Sequence, residues 1–200
     1  MSRIIGCQQL HLAEVVKDDI TGTTFGKPQE IPAVMSVEIK DNSESVTFYS
    51  NDVIEQVIPA FSGKEVTLEL GYLTNELEAL ITGNTYEKGV FIQSATTVAK
   101  EYALLFRAPK SRGGFQYVCL YKGVLSKNEQ KYKSKEDKME GQTVQITGVF
   151  SPLVSNGEVA IKADTDDKTP SELIKTWFTE VPMVTASKPA VTPTNTQSKQ

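Results

Sequence analysis

The sequence is short of the residues from which most reactive sites are built, with two cysteines and one histidine in 200 residues. Cys7 and Cys119 stand far apart and match no metal-ligating or redox spacing, so they read as small buried thiols with no disulfide framework. His11 lies between Leu10 and Leu12 without a serine or cysteine signature beside it. A catalytic histidine needs a positioned nucleophile or substrate, so His11 reads as structural. Positive charge is in deficit too: 21 Lys and Arg stand against 25 Asp and Glu, a formal charge of -4. Nonspecific affinity for a duplex comes from cations that displace counterions from phosphates, and this chain should repel DNA weakly. Long apolar runs are missing. The opening MSRIIGCQQLHLAEVV has no apolar core of signal-peptide length, and no later run approaches a membrane span. Synthesis in a cytoplasm, without a membrane partner, is expected.

Motifs that imply a cofactor fail in detail. GTTFGKP has only three residues between Gly22 and Gly26, with Pro28 where a phosphate loop needs Ser or Thr, and reads as a loop before a strand. ADTDDK has Asp164 and Asp166 at calcium-loop spacing, but no glycine follows at the sharp turn and Lys175 stands in place of the bidentate glutamate. It reads as a solvated turn. Carboxylates are scattered singly, and no motif with a catalytic mechanism survives; no enzyme, metal or cofactor is expected.

What is present is a β pattern. VMSVEIK, SVTFYS, DVIEQVIP and KEVTLELG form a first group of strands; EYALLFRA, FQYVCLYKGVL, TVQITGVF and EVAIKA form a second, with SRGG and SNGE as turns. The eight runs predict an antiparallel β-sandwich or barrel. Two helices interrupt them. In GYLTNELEALITG, Leu77, Leu80 and Ile81 share a face, Asn75 and Glu78 make a capping box, and Gly83 supplies a left-handed stop. In KTPSELIKTWF, Thr169 caps, Pro170 opens the first turn, Glu172 completes the box, and Leu173, Ile174, Trp177 and Phe178 form the apolar side. Residues 1–181 thus read as one domain. The remainder, 182–200, has no aromatic residue to offset its ordering entropy and reads as a flexible tail.

The stretch LSKNEQKYKSKEDKMEGQ, residues 125–142, lies between two of these strands. A helix there would recur in Leu125, Tyr132 and Met139 only once in seven residues, too sparse to dock. Its five lysines are offset by Glu129, Glu136, Asp137 and Glu140, which leaves little field for phosphate. Two readings stay open: a solvated loop, unusually long for a hairpin, and a β-hairpin arm whose edges another subunit covers.

The run CLYKGVLSKNEQKYKSKEDKMEGQTVQITGVF resembles the strand, charged arm and strand of the major tail proteins, the tail tube proteins of long-tailed noncontractile phages and prophages of Gram-positive bacteria. IGCQQLHLAEV, TFYSND, LITGNTYEKGVFIQS and DDKTPSELIKTWFTEV match in order, and the likeness covers most of residues 4–181. Cys119 departs from it, since relatives often have a larger residue there. The resemblance implies a tail-tube-type β fold with one flanking helix, a short C-terminal helix and a long β-hairpin arm. It implies assembly with itself as stacked hexameric rings in a virion tail built in the host bacterial cytoplasm. Further partners implied are tape measure, tail terminator and distal tail proteins, with double-stranded DNA passing through an acidic or neutral lumen unheld. The contact candidates are Tyr132, Lys133, Lys135, Glu136, Asp137, Lys138 and Met139 in the arm, and Ile4, Leu10 and Leu12 in the N-terminal segment Ile4 to Val16. The competing expectation is a β-sandwich carbohydrate-binding or adhesion module. It needs exposed aromatics on one sheet face, for which Phe115, Tyr117 and Tyr121 are the candidates.

Overall fold

A computed structural model describes residues 2–50, 53–129, 143–167, 169 and 171–184, with side chains described for these except at 44–60, 128 and 129. The chain is mainly β, with eleven strands and two short helices among the described residues. The strands are β1 (Gln8–Asp19), β2 (Gly22–Phe25), β3 (Gln29–Ile31), β4 (Val34–Ser50), β5 (Val53–Leu70), β6 (Thr85–Glu87), β7 (Val90–Ile92), β8 (Glu101–Pro109), β9 (Phe115–Glu129), β10 (Val144–Phe150) and β11 (Ala160–Asp164). The helices are α1 (Asn75–Thr82) and α2 (Ser171–Thr176).

The main sheet is antiparallel and runs β2-β1-β8-β9-β10-β5-β4, with β3 added to β1 and β11 to β9. Its central strands bury both faces, and alternation assigns each residue a side. On β8, Tyr102, Leu104 and Phe106 enter one core while Ala103 and Leu105 enter the other. On β9, Val118 and Leu120 take the first side and Tyr117, Cys119 and Tyr121 the second. The first core also receives Leu10 and Leu12 from β1, Val66, Leu68 and Leu70 from β5, and the flank of β4 through Val34, Val37 and Ile39. Strands near both ends of the sheet order therefore wrap one interior, as in a partly open barrel. The second core lies on the outer face of β8 and β9, where Trp177 packs 5.5 Å from Tyr117 and Phe178 stacks on His11 at 4.6 Å.

Helix α1 lies between the end of β5 and the start of β8 and closes the interior with Ala79 and Ile81. Its start differs from the expected Asn75–Glu78 box. Thr74 is the cap, accepting the Leu77 N–H at 3.3 Å, which leaves Glu78 free for another partner. Gly83 ends the helix at φ 74°, as its position predicts. The apolar side of α2 docks on the outer core as expected, but the Thr169 hydroxyl donates to the Asp164 carbonyl at 3.0 Å. GTTFGKP is not a plain loop: Gly22 to Phe25 pair with β1. The buried Tyr121 hydroxyl donates to the Pro182 carbonyl at 3.0 Å, and residues 185–200 of the expected tail lie outside the described residues.

Candidate assembly surfaces

The first four runs of the β pattern are not four strands but one hairpin. Strands β4 and β5 pair continuously from Val34 with Leu70 out to Ser50 with Val53. The polar Asp41–Ser43 and Ser62–Gly63 segments, which separate those runs in the sequence, are absorbed as an irregular step: Asn42 faces Gly63 and Ser43 faces Phe61, leaving Ser62 as the extra residue. Its hydroxyl donates to the Asn42 carbonyl at 2.9 Å. A bulge of this kind bends the strand that carries it. The bend comes where β10 stops, since Phe150 pairs with Lys64 in the last rung of the β10–β5 ladder. Gly63 has φ 142°, and a Cβ there would collide with the Phe150 carbonyl oxygen. Lys64 secures the step by pairing with Asp41 and lying 5.5 Å over the Phe61 ring.

Beyond that step β4 and β5 have no other strand partner among the described residues. Eight residues, Ser43 to Ser50, span about 25 Å at the usual strand rise. Between Ser43 and Phe61 the sequence has Glu44, Asp52 and Glu55 and no basic residue. In the sequence SVTFYS and DVIEQVIP read as separate strands and TFYSND as a landmark of the resemblance; the signal for one long hairpin was this apolar and acidic run.

The second hairpin is β9–β10, whose ladder reaches Glu129 opposite Gln145. Its root is tied to α1 by Lys127 and Glu78, 2.7 Å apart with both side chains under one-fifth exposed. The arm candidates Tyr132, Lys133, Lys135, Glu136, Asp137, Lys138 and Met139 lie outside the described residues. Strand registers give the two hairpins opposite senses. The β9–β10 connection departs at the end marked by Leu70 and Val144, where α1 also sits, and the β4–β5 hairpin departs at the end marked by Lys64 and Phe150.

Of the N-terminal candidates, Leu10 and Leu12 are corrected. At 0% and 1% exposure they fill the barrel interior, because β1 is a central strand between β2 and β8 with its inward side facing α1 and β5. Ile4 is 54% exposed, pairs across a single bridge with Lys110, and leaves its apolar surface open. The aromatic platform is corrected as well: Tyr117 and Tyr121 are 6% and 0% exposed beneath Trp177 and Phe25, and the half-buried Phe115 stacks under Arg107 at 4.3 Å.

Three electrostatic ties hold the outer surface. The ADTDDK turn is not simply solvated. Asp164 and Asp166 close on the nearly buried ammonium of Lys110, the latter at 2.8 Å, so a lysine occupies the position of a cation. Its hydrogen bond, with the Asp166 N–H, holds the Asp164 carboxyl below the usual range. Asp41 is held low by Lys64. Asp18, with a side chain 4% exposed, meets Lys122 at 2.6 Å, the Val154 N–H at 2.9 Å and the Thr23 hydroxyl at 2.9 Å. Burial pushes this carboxyl up, and those donors together outweigh it and bring it below the ordinary value. Sequence spacing could not show this tie, since its members come from β1, β2, β9 and the turn after β10.

Burial pushes the Cys7 thiol up to about 11 and raises Cys119 as well, so neither is an activated nucleophile. No group of three or more His, Cys, Asp or Glu that could hold a metal occurs among the described residues, where no helix is long and apolar enough to cross a membrane either. No family model and no curated protein matches the chain.

Proposed function

We propose that the chain is a structural, non-catalytic virion protein, the repeating subunit of a phage tail tube. It polymerises with itself as stacked, hexameric rings into the channel through which the genome is ejected. The observation that supports this best is that the β9–β10 connection and the β4–β5 hairpin lie at opposite ends of one sheet, the outer part of β4–β5 having both strand edges free of partners among the described residues. A long unpaired edge invites uncontrolled pairing unless a defined neighbour covers it. Hairpins of opposite sense give each molecule a head and a tail, and head-to-tail contacts extend without a built-in end. The family likeness of the arm and its flanking strands, and the net negative charge that leaves DNA unheld in a lumen, favour the same reading. Assembly in the bacterial cytoplasm, followed by residence in the virion tail with terminator, tape measure and distal tail proteins, belongs to this proposal.

The carbohydrate-binding alternative draws less support, because Tyr117 and Tyr121 serve the outer core and present no platform. Negative-stain electron microscopy of the concentrated protein tests the proposal. Hollow tubes of stacked rings are expected. A chain that stays monomeric at every concentration, also with tail initiator components present, overturns it.

A further inference from the structure

We infer that the α1 end of one copy receives the N-terminal segment Arg3–Ile5 and the neighbouring Arg112 turn of a second copy. This contact rests on the tube-subunit reading and names its surfaces.

The two surfaces lie at opposite ends of the sheet. Strand β5 finishes at Leu70 and β8 begins at Glu101, so the connection that forms α1, β6 and β7 starts and returns at one end. Strand β8 finishes at Pro109 and β9 begins at Phe115, which puts the intervening turn at the other. The N-terminal segment is laid along that turn by the Ile5 N–H to Pro109 carbonyl bond at 2.9 Å, the Ile4–Lys110 bridge and the Ser111 N–H to Arg3 carbonyl bond at 2.8 Å.

Each end offers what the other lacks. At the α1 end a cleft of about 590 Å³ is lined by Pro32, Leu77, Leu80 and Tyr86, with Glu30 and Glu76 on its polar wall. Both carboxylates are exposed and without an ion-pair partner among the described residues, and Lys100, also on the wall, is engaged by Glu14 at 2.9 Å. At the opposite end Ile4 and Ile5 are 54% and 65% exposed, flanked by the exposed Arg3 and Arg112, which have no ion-pair partner among the described residues. An apolar cleft with acidic walls thus faces away from an apolar ridge with basic flanks on the same molecule. Such a pair of unlike patches cannot satisfy itself within one copy, and between copies it forms a heterologous contact that propagates along one axis. Its exposed ion pairs make assembly sensitive to salt, as screening at 0.15 M acts over about 8 Å.

Charge reversal tests the contact. Two double variants are prepared, Arg3→Glu with Arg112→Glu and Glu30→Lys with Glu76→Lys, with circular dichroism and thermal melts to show that each is folded. Each alone should yield at least tenfold less sedimenting polymer than wild type, because it presents like charges at both ends. An equimolar mixture should recover polymer, since the acidic ridge of one variant meets the basic cleft of the other. If a double variant fails to fold, the single reversals Arg112→Glu and Glu76→Lys are mixed in the same way. Wild-type yields from either variant, or a mixture that stays dispersed while wild type forms tubes, overturn this contact and leave the tube reading intact. Wild-type protein that never polymerises overturns the tube reading and this contact together.

Discussion

The hairpins β9–β10 and β4–β5 are neighbours in one sheet, yet they stand in different surroundings. Strand β9 buries side chains on both faces, carries β8 on one edge, and carries β10 and then β11 on the other. Strand β5 shares that environment only from Lys64 to Leu70; farther out it has β4 alone. An isolated two-stranded ribbon is marginal in water, so the outer half of β4–β5 contributes reach and pairing edges more than stability. The difference separates two jobs within one sheet: β8, β9 and the two cores supply the fold, and the part of β5 beyond Gly63 is available for neighbours.

The comparison breaks most severely if the body is weakened. Trp177→Ala removes a fully buried side chain from the outer core and should cost about 3–5 kcal/mol, read as a lower denaturant midpoint with α2 and Phe178 released from Tyr117. Asp18→Asn strips the partner from the largely buried Lys122 and should cost about 3–5 kcal/mol by the same measurement. The pH dependence has a definite sign. The folded-state pKa of Asp18 lies below its unfolded value, so its contribution is complete above about pH 4 and is lost as pH falls through the folded value. Acid titration of stability should therefore be shallower in Asp18→Asn than in wild type.

Gly63→Ala sharpens the boundary between body and hairpin. It imposes strain at φ 142° and a clash with the Phe150 carbonyl, for an expected loss of about 1–3 kcal/mol and a redirected hairpin. The smallest effect on folding should come from replacing residues 44–60 with a short glycine turn. Stability should shift by about 1 kcal/mol or less, because closure entropy changes by only about 0.6 kcal/mol per doubling of loop length. Polymerisation, followed by sedimentation, should nevertheless be abolished. A truncated chain that assembles like wild type removes the hairpin from the assembly reading.

Several features were legible in the residues themselves. Val-, Leu- and Tyr-rich alternation in EYALLFRA and FQYVCLYKGVL identified β8 and β9, Gly83 identified the end of α1, and the spacing of Leu173, Ile174, Trp177 and Phe178 identified the docking side of α2. These are local signals, set by side-chain period and backbone freedom, and they determined the β class and the helix positions. Tertiary structure decided what local period leaves open. The runs read as strands began only at Val34, so β1 was not among them, and the alternation in QQLHLAEV does not say which side meets the barrel interior; Leu10 and Leu12 were legible as apolar but not as core. Whether Asn42 and Gly63 turn the chain or bulge within a hairpin depends on where β10 ends against β5, a pairing between segments about 80 residues apart in the chain. The Asp18 tie and the opposite senses of the hairpins likewise exist only once strand register is set, because charge and direction become specific when distant backbones are held side by side.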